Sequence, residues 1–155
     1  LLGHSDGGSI ALLVAAQFPD RVAGLILEAP HVYVEQLTYD SIASARDVYR
    51  ATDLGQKLRR YHDNVDDVFW RWNDIWLDPR FRDWNIEDCL PQIRAPILLI
   101  QGVDDEYGTM DQLDRIQAVC AAARLELEHC GHSPHRDQTE EVLEASALFL
   151  RDHDL

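Results

Sequence analysis

The sequence predicts an α/β domain, a mostly parallel sheet flanked by helices. A serine bracketed by glycines, Gly3-His4-Ser5-Asp6-Gly7, stands directly before a helical segment, as where a strand breaks sharply into a helix. The runs Val22–Leu27 and Ile97–Gln101 are unbroken and apolar, the pattern of strands covered on both faces. Helical and strand-like segments alternate along most of the chain, the rhythm of parallel sheets with crossover helices.

Taken in order, Leu1 and Leu2 are the end of a first strand, and the turn at Ser5 is expected to need a glycine on either side, where a Cβ would collide. Gly8 to Phe18 reads as a buried helix of small and aliphatic residues stopped by Pro19. Val22–Leu27 is the next strand, ended by Pro30. From His31 to Pro91 the chain turns polar, helical and aromatic-rich. Ser41–Arg50 is one helix there. Val65, Val68, Phe69, Trp72, Ile75 and Trp76 form the apolar stripe of another. Asn64 stands at its N-cap, with Asp66 and Asp67 in a first turn that favours anions. The α/β rhythm then resumes with the strand Ile97–Gln101, a helix over Asp111–Ala122, an alternating strand over Arg124–His129 and a last helix over Glu140–Asp152. The domain reading is therefore α/β core over 1–30, helical insert over 31–92 and α/β core over 93–155.

Composition narrows the function classes. Apolar residues make up 46% of 155 residues, enough for a core, and a net charge of −14 argues against nucleic-acid or anionic-membrane surfaces. Cys89, Cys120 and Cys130 are odd in number and lack a CxxC pair. Reduced thiols and a cytoplasmic location are the expectation.

The chemistry gathers where strands end, as parallel sheets favour. Gly-Val-Asp-Asp-Glu-Tyr-Gly follows one strand and Cys-Gly-His-Ser-Pro-His follows the next. The order is serine, aspartate, histidine. A serine hydroxyl is a weak nucleophile that needs a neighbouring base, an imidazole titrates near neutrality, and a carboxylate orients that imidazole. His132 follows the turn residue Gly131, with His135 next as a base and His129 behind it, still in its strand.

With these motifs the chain resembles the C-terminal part of an α/β-hydrolase. GHSDGG corresponds to the nucleophile elbow, LLIQGVDDEYG to the acid loop and CGHSPH to the histidine loop. The segment between resembles the helical cap of the branch that holds biphenyl-hydrolase-like, valacyclovir-hydrolase-like and meta-cleavage-product hydrolases. The resemblance implies Ser5 as nucleophile, Asp105 rather than Asp104 as acid, and His132 as base. It implies the Asp6 amide as one oxyanion donor, and no cofactor or metal. The expected partner is a small-molecule substrate, with a homo-oligomer left open. Ester or related acyl hydrolysis is the first reading. Carbon–carbon bond hydrolysis with the same residues, or a non-catalytic fragment or binding scaffold, are the alternatives.

Other readings of the same residues are weaker. Cys130, His132, His135 and Asp137 follow no zinc spacing, and no phosphate-binding glycine pattern with its lysine is present. The tryptophans 70, 72, 76 and 84 are expected to form the insert's own core, with Trp72 and Trp76 as the candidates to line substrate. Arg80 and Arg82 read as surface residues. The chain begins inside the elbow, which needs a preceding strand of about five residues. The expectation is roughly 100 further residues of N-terminal core, within the size of one α/β domain, carrying the second oxyanion donor.

Overall fold

The computed structural model describes all of residues 1–155. Four strands, β1 (Leu2–His4), β2 (Leu25–Glu28), β3 (Ile97–Gly102) and β4 (Ala122–Leu127), form one sheet in the order β1-β2-β3-β4. All pairs are parallel: Gly3 sits opposite Leu27, Leu27 opposite Leu99, and Leu99 opposite Arg124. The carboxyl ends of all four strands therefore lie along one rim.

Helix α1 (Asp6–Gln17) leaves that rim directly from β1. It begins two residues before the expected Gly8, because Ser5 already turns the chain and its carbonyl accepts from the Gly8 and Ser9 amides. On one sheet face, Ile26, Leu98, Ile100 and Leu127 pack with Val142 and Phe149, which belong to α7 (Thr139–Asp152). Leu25, Leu27, Ile97 and Leu99 are equally buried, and strand alternation turns them to the opposite face. The central strands are thus covered on both sides, as their unbroken apolar runs predict.

Boundaries moved where pairing overrode local preference. Val22–Gly24 stays outside β2, and Glu28 joins it, opposite His4 and Ile100. Helix α5 (Asp111–Gln117) stops short of the expected Ala122, since Ala122 and Ala123 pair with Ile97 and Leu98. Ladder bonds outweigh the helix preference of alanine there. Strand β4 stops at Leu127, and His129 lies beyond it with a left-handed φ of 57°.

Residues Val34–Trp84 form a separate compact unit, and Leu1–Tyr33 with Asn85–Leu155 form the sheet-bearing one. The second is wider than the predicted cores because residues 31–33 and 85–92 belong to it. Ile86 and Leu90 are buried there, and the 3₁₀ turn Glu87–Gln92 packs on α1. The Val34–Trp84 unit holds α2 (Gln36–Ala51), α3 (Leu54–Leu58) and α4 (Val65–Leu77). The stripe on α4 is rotated from the expected one: Val65, Phe69, Asn73 and Trp76 are buried, whereas Val68 and Ile75 are 45% and 48% exposed. Asn73 enters the core because its side-chain amide donates to the Ile42 carbonyl at 2.9 Å. Asn64 occupies the N-cap position of α4 without a side-chain capping bond. The rings of Trp76, Phe81 and Trp84 pack on one another, with Phe81 and Trp84 stacked and Trp76 edge-on to both. No helix is long and apolar enough to cross a membrane.

Candidate active site

Ser5 sits between β1 and α1 with φ 54° and ψ −122°, a conformation that side-chain-bearing residues rarely adopt and that marks stored strain. Its amide donates to the Glu28 carbonyl at 2.9 Å. Two glycines make the turn possible. A Cβ on Gly3 would stand 2.3 Å from the Gly7 carbonyl oxygen, and one on Gly8 would stand 3.0 Å from the Pro30 Cβ. Gly7, which the spacing marks as the second required glycine, has open space where a Cβ would go. The steric demand falls one residue later, where α1 passes the segment after β2.

The loop after β3 carries Asp105, which is 7% exposed. Its Oδ1 accepts from the Tyr107 amide at 2.8 Å and the Gly108 amide at 3.3 Å. Its Oδ2 accepts from Gln101 Nε2 at 3.1 Å, and the same Nε2 donates to the Gly108 carbonyl at 2.8 Å. Gln101 is fully buried at the end of β3 and braces the loop that carries Asp105. Asp104, by contrast, is exposed.

The loop after β4 brings His132 to the same place. Its Nδ1 lies 2.9 Å and 3.0 Å from the two oxygens of Asp105, and its Nε2 lies 2.9 Å from Ser5 Oγ. A carboxylate can only accept, so Nδ1 carries the proton and Nε2 is left to accept from the serine hydroxyl. Ser5, His132 and Asp105 thus form one hydrogen-bonded line, drawn from residues 127 and 27 positions apart. Asp6 is the first residue of α1, at the positive end of the helix.

The other histidines have different partners. His135, in α6 (Pro134–Asp137), approaches Glu28 and not Ser5: its Nδ1 lies 3.0 Å from Glu28 Oε2. His129 is in the turn after β4, not in the strand. Three residues around His132 were not singled out from the sequence. His31 is 2% exposed with its ring 5.9 Å from that of His132. The ring of Tyr107 lies 4.8 Å from His132. Burial, then the nearby Glu106 and Asp105 carboxylates, push the Tyr107 phenol above its ordinary value. Glu28 is almost fully buried at the end of β2. A strand-terminal carboxylate two residues before a proline is the one sequence signal that points to it. Cys130, His132, His135 and Asp137 do not gather as a metal site.

Trp72 and Trp76 both lie on α4 in the Val34–Trp84 unit. Trp76 is 5% exposed and belongs to that unit's aromatic core. Trp72 is partly buried, with its ring 5.7 Å from Phe69.

The chain is similar to several known proteins. It is 28% identical to the human protein named serine hydrolase BPHL over 97% of this chain and 54% of that protein. It is 23% identical to the 2-hydroxy-6-oxo-6-phenylhexa-2,4-dienoate hydrolase of Comamonas testosteroni, covering 97% of this chain and 62% of that enzyme. The chain thus spans between about half and three-fifths of these relatives' length. The solved structure of a meta-cleavage product hydrolase from Pseudomonas fluorescens superposes with a TM-score of 0.74 at 17% identity, over 97% of this chain and 64% of that one. Residues 1–145 match the model of the alpha/beta hydrolase family, and together with the parallel sheet and its serine turn this match shows that the chain belongs to the alpha/beta hydrolase family.

Proposed function

We propose that this chain carries the catalytic triad of a serine hydrolase that cleaves a carboxylic ester, or a related acyl bond, in a small molecule. The observation that carries the reading is the hydrogen-bonded line Ser5–His132–Asp105. In the proposed reaction, Ser5 Oγ attacks the substrate carbonyl carbon while His132 Nε2 takes the hydroxyl proton. Asp105 holds the imidazole by Nδ1 and stabilises the imidazolium that forms. Negative charge develops on the carbonyl oxygen, where the Asp6 amide at the start of α1 is proposed as one donor. The tetrahedral species collapses, the C–O bond to the leaving group breaks, and His132 returns the proton to the departing alkoxide. Water activated by His132 then attacks the acyl-serine, releasing the acid and restoring Ser5.

The Val34–Trp84 unit is proposed to act as a cap. In that role Trp76 serves the unit's own core, and the more accessible Trp72 lines substrate. The net charge of −14 supports a small-molecule partner over a nucleic acid. A second reading, hydrolysis of a carbon–carbon bond beside a ketone, has the same residues and is favoured by the similarity to the Comamonas dienoate hydrolase. The deciding experiment uses the intact full-length protein. Short-chain p-nitrophenyl esters and a 2-hydroxy-6-oxo-hexa-2,4-dienoate are compared as substrates, with fluorophosphonate labelling of Ser5. Ester turnover and labelling that both vanish in Ser5→Ala support the first reading. Faster turnover of the dienoate selects the second, and turnover undiminished in Ser5→Ala overturns both.

A further inference from the structure

The loop that bears His132 is tied at two points to the strands beside the nucleophile. The first tie is His4, the residue before Ser5. Its Nε2 lies 2.6 Å from the carbonyl oxygen of His132. A carbonyl only accepts, so Nε2–H donates. Burial, the largest influence, holds His4 below the ordinary imidazole value. The second tie is Glu28, at the end of the neighbouring strand. Its side chain is 2% exposed. Its Oε2 accepts from the His135 amide at 2.9 Å and from His135 Nδ1 at 3.0 Å.

Glu28 therefore acts at both ends of the site. Its backbone carbonyl accepts from the Ser5 amide, and its carboxylate holds the turn three residues past His132. The His4 ring lies 5.0 Å from both the His132 and the His135 ring, so the three imidazoles pack together. Besides the bond from His132 to buried Asp105, two exposed carboxylates touch the backbone of this loop: Asp137 accepts from the Gly131 amide and Glu106 from the His132 amide. Solvent weakens such exposed pairs, whereas a buried carboxylate with two donors is held in one geometry.

We propose that His4 and the Glu28–His135 pair are positioning residues that form a two-point clamp, setting the base His132 against Ser5. The inference rests on the Ser5–His132–Asp105 reading and adds to it. Neither His4 nor His135 exchanges a proton with substrate in this role. They fix the loop so that Nε2 of His132 meets the serine hydroxyl. Displacements of about an ångström at such a contact are enough to cost about 100-fold in rate.

The test compares truncation with replacement by amides, in the intact full-length protein. An asparagine amide nitrogen lies near where histidine Nδ1 does, and that of glutamine near where Nε2 does. His135→Ala and His4→Ala are expected to lower kcat for a p-nitrophenyl ester, and the rate of fluorophosphonate attack on Ser5, by about 10- to 100-fold with KM within about twofold. His135→Asn and His4→Gln should recover most of the loss. Rates are referred to sites titrated at Ser5, so a smaller folded fraction does not register as a lower kcat. Glu28→Ala should match His135→Ala; if it does not fold, the His4 and His135 pairs decide. Alanine variants with kcat within about twofold of wild type, or amide variants no better than alanine, overturn the clamp. Should Ser5→Ala leave turnover undiminished, the serine reading falls and the clamp with it. Should Ser5→Ala be inactive while His4→Ala and His135→Ala run at full rate, only the clamp falls.

Discussion

A Cβ on Gly102 would stand 2.1 Å from the carbonyl oxygen of Cys130. The end of β3 and the start of the histidine loop thus touch at a point that only glycine permits. The Asp104 amide, donating to the same carbonyl at 3.0 Å, draws the loop inward. Gly102→Ala must push this loop away from the sheet. The expected cost is about 1–3 kcal/mol of stability, read by denaturant unfolding, together with a fall in kcat as His132 moves. A variant with unchanged stability and kcat would contradict this packing.

Asp105 and Asp104 are neighbours in sequence but not in surroundings: Asp105 is buried against His132, and Asp104 is exposed. Asp105→Asn places an amide against His132 Nδ1 and favours the wrong tautomer, so kcat is expected to fall by about 10⁴-fold, as that change does in a known triad. Asp104→Asn, at an exposed position, should stay near wild type. Steady-state ester kinetics separate the two, and the reverse ranking would move the acid to Asp104.

His4 makes stability depend on pH. Burial lowers its pKa in the folded protein from 6.5, so the unfolded chain takes up the proton first as pH falls. Stability is therefore fully present above 6.5 and is lost as pH drops from there through the lowered folded value. His4→Gln cannot take up that proton. The stability difference between wild type and His4→Gln should accordingly shift against wild type between about pH 7.5 and 5.5, measured by urea unfolding. A constant difference would show that His4 titrates alike in both states.

On α4 the exposed and buried faces should answer differently to truncation. Trp76→Ala is expected to cost about 3–5 kcal/mol, because the ring is 5% exposed and packs on Phe81 and Trp84. Ile75→Ala, at 48% exposure, should change stability by no more than about 0.5 kcal/mol. Thermal melts of both variants check the rotated stripe, and equal losses would restore the phase expected from the sequence.

Cys130 is buried, and desolvation first, then nearby carboxylates, push its thiol up to about 11. Iodoacetamide at neutral pH should leave it unmodified in the native protein and alkylate it after denaturation. Peptide mass analysis before and after denaturation reads this directly. Native alkylation at Cys130 would mean that the histidine loop opens.

The sequence by itself determined the features that rest on near neighbours. Parallel strands followed from the unbroken runs before Pro30 and at Ile97, since only strands covered on both faces are apolar throughout. The sharp turn at Ser5 followed from glycines at short spacing. The chain order of serine, aspartate and histidine followed from reading along the loops. Tertiary structure decided what depends on register between distant segments. His132 and His135 share one loop, and only the placement of that loop beside β1 and β2 sends the first to Ser5 and the second to Glu28. The glycine that α1 needs is Gly8, because the colliding atom belongs to Pro30, which local spacing does not reveal. Gln101 and Glu28 read as ordinary strand residues until the sheet brings Asp105 and His135 within hydrogen-bond reach. On α4 the helical period was legible but its phase was not, since Asn73 turns inward for the carbonyl of Ile42, 31 residues away. Side-chain periodicity reports which residues can share a face, while partners across the fold select which face is buried.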